Sequence, residues 1–411
     1  MSPDQQRMAR ELAEEFKARA AVYDAENRFP HENFDTLRKA GYLALTVPTE
    51  FGGGGCGLAD LCRLQLVLAG GCSATALAAN MHLHMLGVAA GQWRRTREPL
   101  LETFFKAIVE TGTIIAACAS EGGGVNSYTD ARARAIRAAG GYVVSGRKHF
   151  CSLSPVLEWI VTSATTDDDG TRRLLQLLIA RDAPGLTIHQ TWDAMGMRAT
   201  GSHELGLEDV FVPDEMVLNN REVGVYDDYA QEALKWFTLT VAATYTGIAS
   251  AASDFVRARL GKKSAHDWAL RLRDLGEIEA SLRAAHALIE RTACECDRHE
   301  WGSQPHLVKD AVATKYFATN VAVRVVHMCL DLAGGPGYLK TSPLERWYRD
   351  VRAGIIHPPN NRDALTIVGE IAAGVWPVAT EPGGEPDDDR SASARSATRA
   401  EPLAADAQAA E

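Results

Sequence analysis

Apolar residues recur at helical spacing at the start of the chain, while charged residues fill the other positions. The repeating apolar positions are Met8, Leu12, Phe16, Ala20 and Tyr23. This period predicts one amphipathic helix over residues 4–23 that buries a single face. A second helix is predicted for residues 31–39, and helical patterns resume at residue 58 and continue to about residue 110.

The pattern changes after Gly112. Short segments with β-branched or alternating apolar residues now follow one another, separated by Gly, Asp and Pro turns. These segments are 113–119, 142–145, 159–165, 174–179, 186–190 and 205–212. They predict the strands of a β domain that is inserted between helical blocks.

Helical spacing returns from about residue 229 to 374 and is clearest over 270–289 and 307–332. Beyond Trp376 a Pro-Gly-Gly sequence, an acidic run and a Ser/Ala/Arg-rich segment lack large apolar residues, which is typical of disorder. The sequence therefore predicts a mainly α fold with an inserted β domain. Its parts are an N-terminal helical domain (1–112), a β domain (113–222), a C-terminal helical domain (223–376) and a disordered tail (377–411).

Composition narrows the classes of ligand. The chain has 411 residues, 46% of them hydrophobic, and a formal net charge of −10. Without a sustained Lys/Arg stripe, a nucleic-acid partner is not expected, and small molecules are the expected ligands. Residues 236–253 carry no charge, but their Thr, Ser, Ala and Gly content is typical of a buried helix rather than a membrane span. No apolar signal region precedes the first helix, so a cytoplasmic location is expected.

The eight cysteines are scattered, which predicts free thiols rather than a disulfide framework. Cys294 and Cys296 lie near His299, but positions i and i+2 of a helix point to different faces. No metal site is therefore expected. Within the second helical block His82 and His84 occupy an apolar helix. Either could face a cavity, although a core histidine bonded to backbone is the commoner case.

Residues 334–361 read GGPGYLKTSPLERWYRDVRAGIIHPPNN. Backbone amides near Gly334, Gly335 and Gly337 can approach a phosphate or a ring, because glycine has no Cβ. Three arginines follow closely and supply positive charge, which suits a dinucleotide. The alternative interpretation is a corner between helices with a solvated basic face.

Several separate segments resemble the acyl-CoA dehydrogenase superfamily of flavoproteins. Residues 48–53 (PTEFGG) are similar to its early glycine turn, and 119–121 (ASE) and 145–152 (SGRKHFCS) resemble its two flavin loops. Residues 192–203 (WDAMGMRATGSH) with 209–213 (DVFVP) match the end of its β domain, and 334–361 match its C-terminal motif. The order of these segments makes the resemblance specific.

The resemblance implies an N-terminal α bundle, a middle β barrel or sandwich and a C-terminal four-helix bundle. It implies FAD or FMN held between the β domain and the C-terminal helices. Phe150 would stack on the flavin ring, Ser152 would hydrogen-bond near its N5, and Ser120 and Asn360 lie in the motifs that bind the cofactor. A second copy would complete the site through Arg257 and the turn formed by Gly334, Gly335 and Gly337, so a homotetramer or homodimer is expected.

Departures from the family concern the catalytic base. An acyl-CoA dehydrogenase needs a carboxylate to take the substrate α-proton, but the two positions the family uses hold Pro358 and Phe237. Other flavin-site positions also differ, with Leu260, Trp268 and Asn126-Ser127 in place of the usual residues. A second branch of the fold lacks that glutamate, reacts reduced flavin with dioxygen and often carries a histidine where this chain has His357.

The departures favour a reduced-flavin- and dioxygen-using monooxygenase acting on a small organic substrate. A separate flavin reductase is an expected partner of such an enzyme. The expected catalytic residues of the monooxygenase are His357, Ser152 and His82, with His84 as a further candidate. One alternative is an acyl-CoA or acyl-carrier-protein thioester dehydrogenase whose base has moved to Glu232 or Asp363. Another is a flavin-binding scaffold without catalysis.

Overall fold

Helices make up the first part of the chain in the computed structural model, which describes residues 1–122, 124, 126–167, 170–260, 265–299 and 301–378. They are α1 (Pro3–Lys17), α2 (Ala20–Glu26), α3 (His31–Lys39), α4 (Leu58–Gly71), α5 (Ser73–Thr96) and α6 (Pro99–Thr111). Beyond Val378, the predicted disordered tail lies outside the described residues. The expected fold class, mainly α with an inserted β domain, is confirmed.

The first predicted helix is two helices. It begins with a capping box, in which Ser2 Oγ accepts from the Gln5 N–H and Gln5 Oε1 accepts from the Ser2 N–H. Helix α1 ends with Ala18 as its C-cap. Helix α2 then packs its buried Tyr23 into the same hydrophobic core as Phe16. Because the apolar period continues across the break, the sequence pattern does not reveal it.

Eight strands follow: β1 (Ile115–Ala117), β2 (Arg134–Ala138), β3 (Gly141–Cys151), β4 (Trp159–Thr166), β5 (Arg173–Ala180), β6 (Leu186–His189), β7 (His203–Pro213) and β8 (Val217–Glu222). They form one sheet in the order β6-β7-β3-β2-β4-β5-β8, with β1 pairing parallel to β4. The sequence pattern did not predict β2 and β8. Both are polar, RAIRA and VLNNRE, and most of their side chains lack full burial, so the alternation signal is weak.

The C-terminal part comprises α7 (Asp228–Arg257), α8 (Ala265–Arg298), α9 (Pro305–Ala333), α10 (Gly335–Tyr338), α11 (Pro343–Val351) and α12 (Asn361–Ala373). Helix α7 is central and packs against α4, α5, α8 and α9. Gly247 permits this closeness, since a Cβ there would lie 2.3 Å from the Leu66 carbonyl oxygen. The uncharged run 236–253 is thus a buried helix, and none of the helices described here is long and apolar enough to cross a bilayer.

Candidate active site

A cavity of about 570 Å³ lies where the sheet meets α5, α7 and the segment after α11. Five of the predicted site residues line it: Ser120, Phe150, Ser152, His357 and the further candidate His84. Pro358 and Phe237, which occupy the family's base positions, also line it. Segments distant in sequence therefore converge on one cavity, as the resemblance implies.

Phe150 lines this cavity, and its backbone adopts an unusual conformation. The pairing of β3 with β7 shifts register between Lys148 and Cys151, and Phe150 in this bulge has φ +57°. A bulky residue in the left-handed region is strained. The side chain is 65% exposed, and its ring meets Trp192 edge-on at 6.0 Å between centroids. An exposed aromatic held this way at a cavity wall is suited to cover a planar ligand.

Ser152 ends a chain of hydroxyl groups. Its Oγ lies 2.7 Å from Ser202 Oγ, which lies 2.6 Å from Thr200 Oγ1. Thr200 Oγ1 in turn lies 2.9 Å from the Met197 carbonyl oxygen, which can only accept. Three hydroxyl protons are available for these three contacts. Because the carbonyl cannot donate, only one arrangement of the protons gives each contact a donor. In that arrangement Ser152 donates to Ser202, so Ser152 Oγ has only acceptor capacity left for the cavity.

His357 is held by a tyrosine from α7. Its Nε2 lies 2.9 Å from the buried Tyr245 hydroxyl, and its backbone carbonyl accepts from Lys315 Nζ at 2.9 Å. Its Nδ1 has no hydrogen-bond partner in the described part of the chain. Burial, with a smaller contribution from the Lys315 charge, lowers the pKa of His357 to about 3. The imidazole is therefore neutral at pH 7.

His84 is the second imidazole at the cavity wall. Its Nδ1–H donates to the Asn80 carbonyl at 2.6 Å, which leaves Nε2 as an acceptor without a partner among the described residues. Burial lowers the pKa of His84 to about 4, so this ring is also neutral at pH 7. Phe237 lies between the two, with ring centroids 5.3 Å from His84 and 6.1 Å from His357.

The carboxylates in the described wall of the cavity are Glu121 and Asp193. Glu121 is bound to the buried Lys148 ammonium and accepts from the backbone N–H groups of Arg132 and Ala133. Asp193 is 85% exposed, at the rim. Neither is a free base inside the cavity.

The alternative bases lie outside the cavity. Glu232 pairs with Lys235 Nζ at 2.6 Å, and burial raises its pKa. Asp363 is exposed and bonded to Asn360, whose Oδ1 accepts from the N–H groups of Arg362 and Asp363 and so caps α12. Asn360 therefore has a structural role in one chain and does not line the cavity.

His82 is not brought to the cavity either. Its Nδ1 accepts from the Ile115 N–H at 3.0 Å, and its Nε2 lies 2.9 Å from the Leu43 carbonyl oxygen. The side chain is fully buried, and burial lowers its pKa to about 4. This geometry is that of a core histidine satisfied by backbone, the other interpretation open at the sequence level.

The glycine turn and Arg257 also lie elsewhere in the single chain. Gly337 donates its N–H to the Gly334 carbonyl, and Gly337 lines a separate recess with Arg259 and Arg271. Arg257 is half-exposed and paired with Asp254 and, at 3.6 Å, with Glu279. Their role in binding cofactor across two copies stays a prediction.

Four residues at or beside the cavity were missed from the sequence: Thr200, Ser202, Arg221 and Tyr245. Thr200 and Ser202 belong to the WDAMGMRATGSH segment, so their small polar side chains were a usable signal. Tyr245 lies within the uncharged run and Arg221 within an unpredicted strand. Nothing in their local sequence distinguishes them.

Comparison with known proteins agrees with this geometry. The N-terminal, middle and C-terminal domain models of acyl-CoA dehydrogenase match residues 4–93, 116–210 and 239–362. The chain belongs to the acyl-CoA dehydrogenase family, a family of flavin-dependent oxidoreductases, and the expected family is confirmed.

Individual relatives cover nearly the whole chain. YdbM of Bacillus subtilis (strain 168), named for the acyl-CoA dehydrogenases, is 33% identical over 87% of this chain and 94% of its own length. The amino sugar nitrososynthase DnmZ of Streptomyces peucetius is 31% identical over 85% of this chain and 88% of its own. The structure of KijD3 in complex with FMN and dTDP-3-amino-2,3,6-trideoxy-4-keto-3-methyl-D-glucose is 28% identical, with a TM-score of 0.82 over 96% of this chain and 98% of KijD3.

Proposed function

We propose that this protein is a flavin-dependent monooxygenase that uses reduced flavin and dioxygen on a small organic substrate. The observation that carries the proposal is the described cavity wall, where two neutral imidazoles occur and no unpaired carboxylate lies inside. Proton abstraction from an acyl thioester needs such a carboxylate, whereas oxygen chemistry is favoured by a dry site with neutral polar groups. The similarity to a nitrososynthase supports the same branch.

The cofactor is a flavin, FAD or FMN, and the residues present fit it. The exposed ring of Phe150 would pack against the isoalloxazine, and Ser120 and Ser152 would hydrogen-bond its edge. Bound reduced flavin would supply the electrons that activate dioxygen. The chain itself excludes water with apolar side chains, among them Leu77, Met81, Met85 and Phe237, and holds the neutral imidazole of His357 beside the reacting groups.

A dehydrogenase is the second candidate, since YdbM is named for that activity. Butyryl-, octanoyl- and isovaleryl-CoA are expected to leave the bound flavin oxidised under anaerobic conditions, because Pro358 and Phe237 cannot accept a proton. The same protein, loaded with reduced flavin, should consume oxygen when oxygen is supplied. Rapid bleaching of the flavin by any of these thioesters would restore the dehydrogenase, and Pro358→Glu would then test the position of the base. Flavin binding with neither reaction would indicate a scaffold.

The polarity of the hydroxyl chain predicts a preference for reduced flavin. Ser152 Oγ is left as an acceptor, which suits the N5–H of reduced flavin and not the lone pair of oxidised N5. Ser202→Ala frees the Ser152 proton, so the ratio of oxidised to reduced FMN dissociation constants should fall by roughly 2- to 10-fold. Calorimetry with oxidised and dithionite-reduced FMN measures it. Ser154→Ala is the matched control, since Ser154 donates to the Gly201 carbonyl away from the cavity. An unchanged ratio in Ser202→Ala would contradict the assigned polarity.

We also propose a homodimer or homotetramer, served by a separate flavin reductase. Arg257, Gly334 and Gly335 are exposed, although Gly337 of the same turn is buried. Beside the turn Tyr338 and Leu339 are 79% and 57% exposed, which suits coverage by a second copy. Light scattering of the flavin-bound protein should give a multiple of the chain mass of 44.4 kDa. Arg257→Ala should weaken flavin binding while the helical content is kept. A flavin-bound monomer would remove Arg257 and the glycine turn from the cofactor site.

A further inference from the structure

Arg221 on β8 lies in the wall of the cavity and is only 6% exposed. Its Nη2 donates to the Tyr128 carbonyl at 2.7 Å. Its Nε and Nη1 are shielded from bulk water and have no hydrogen-bond partner in the part of the chain described. Buried donors are normally satisfied, so a guanidinium in this state lacks a partner that the folded chain does not supply.

The nearest carboxylate does not fill that gap. Asp227 Oδ1 lies 3.7 Å from Arg221 Nε, beyond hydrogen-bond distance. This oxygen already accepts from the Ala230 N–H as the cap of α7, and Oδ2 accepts from Asn219 Nδ2 at 2.7 Å. Burial lowers the pKa of Arg221, whereas the Asp227 charge raises it. The guanidinium therefore remains charged but only partly compensated.

Two other cations near the cavity show what full pairing looks like. Lys148 binds the Glu121 carboxylate and also donates to the Ser163 carbonyl. Arg349, at the cavity margin, binds both Asp24 and Glu345. Compared with these, Arg221 has no hydrogen-bonded anion among the described residues, although it lies in the wall of the cavity.

We infer that Arg221 binds an oxyanion of the substrate, so that the protein acts on small organic acids. The inference rests on the proposed oxygenase and names its substrate class. A guanidinium offers a planar fork of N–H groups that matches the two oxygens of a carboxylate and also accepts a phosphoryl group. The rest of such a substrate would lie along the apolar wall, with Met81, Met85 and Phe237, and extend toward His84 and His357.

Four matched probes test the inference by binding alone: benzoate, phenyl phosphate, benzamide and benzylamine. They are titrated calorimetrically into the protein with oxidised flavin bound and no reductant. Benzoate should bind more tightly than benzamide by roughly 10- to 100-fold, as expected for a charge-assisted contact. Tighter binding of phenyl phosphate than benzoate would identify a phosphoryl group as the anion. The inference would be overturned if benzamide or benzylamine bound as tightly as both anions. No oxygen chemistry is involved, so failure of the oxygenase proposal would be seen separately.

Arg221→Met removes the guanidinium and keeps an unbranched side chain. The preference for benzoate over benzamide should disappear, while benzamide affinity stays the same. Arg173→Met is the matched control, because Arg173 lies on the adjacent β5 with its Nε and Nη2 bonded to Asn220, outside the cavity wall. If Arg221→Met does not fold, Arg221→Lys serves, since a point charge should lose part of the preference. An unchanged preference in the folded variant would show that Arg221 only supports the Tyr128 loop.

Discussion

Replacing His357 by alanine is expected to lower the rate of oxygenated product formation by about 10²- to 10⁴-fold, the range for loss of a positioned proton donor or acceptor. The Tyr245 hydroxyl and the Lys315 contact hold the ring and backbone of His357 at the cavity, and the unpartnered Nδ1 is available to the reacting groups. The measurement is product formed and hydrogen peroxide released when flavin-reduced protein meets oxygen and substrate.

The controls separate chemistry from folding. His327→Ala removes a histidine on α9 that is 58% exposed and should change neither quantity. Tyr245→Phe should give a smaller loss than His357→Ala, because it releases the ring without removing it. Since the pKa of His357 is about 3, its ring should stay neutral from pH 5 to 8, and a change of activity in this range would point instead to Lys315, whose pKa burial lowers to about 7. Unchanged product yield in a folded His357→Ala protein would exclude His357 and leave His84 and Ser152 as candidates.

Glu121→Gln is expected to cost about 3–5 kcal/mol of unfolding free energy, because it leaves the fully buried Lys148 ammonium without its anion. The Arg132 and Ala133 N–H groups bond different oxygens of Glu121, so the single oxygen of the amide can serve only one of them and the loss includes one backbone contact besides the charge. Urea unfolding at pH 7 measures it. Glu15→Gln breaks an exposed pair with Arg19 and should cost no more than about 1 kcal/mol.

The pH dependence checks the cause. Burial lowers the pKa of Lys148 below its usual value even beside Glu121, so the folded state holds fewer protons than the unfolded state and gains stability as pH rises. Without Glu121 that pKa falls further, so the deficit of Glu121→Gln should shrink between pH 7 and pH 9.5. Adding Lys148→Met should recover much of the loss at pH 7. A deficit that is the same at both pH values would mean that Lys148 is not the cause.

The sequence alone was sufficient for the order of elements and for much of the cavity wall. Apolar period distinguishes helices from strands because each places its buried face at a fixed spacing, and this located α3 and six of the eight strands. The segments that resemble flavin loops were recognisable because their residues are contiguous, and the structure brings Ser120, Phe150 and Ser152 from these segments to one cavity. His357 was predicted in the same way, from a local motif, and it lines the same cavity.

Only the tertiary structure decided which polar groups face each other. Helical position could not tell His82 from His84, and packing put the first against backbone and the second at the cavity. It also paired Glu121 with Lys148 and left Arg221 without a hydrogen-bonded carboxylate, although all three are charged residues in the β domain. Burial and pairing depend on neighbours distant in sequence, and those neighbours set whether a charge is satisfied and whether an imidazole is neutral.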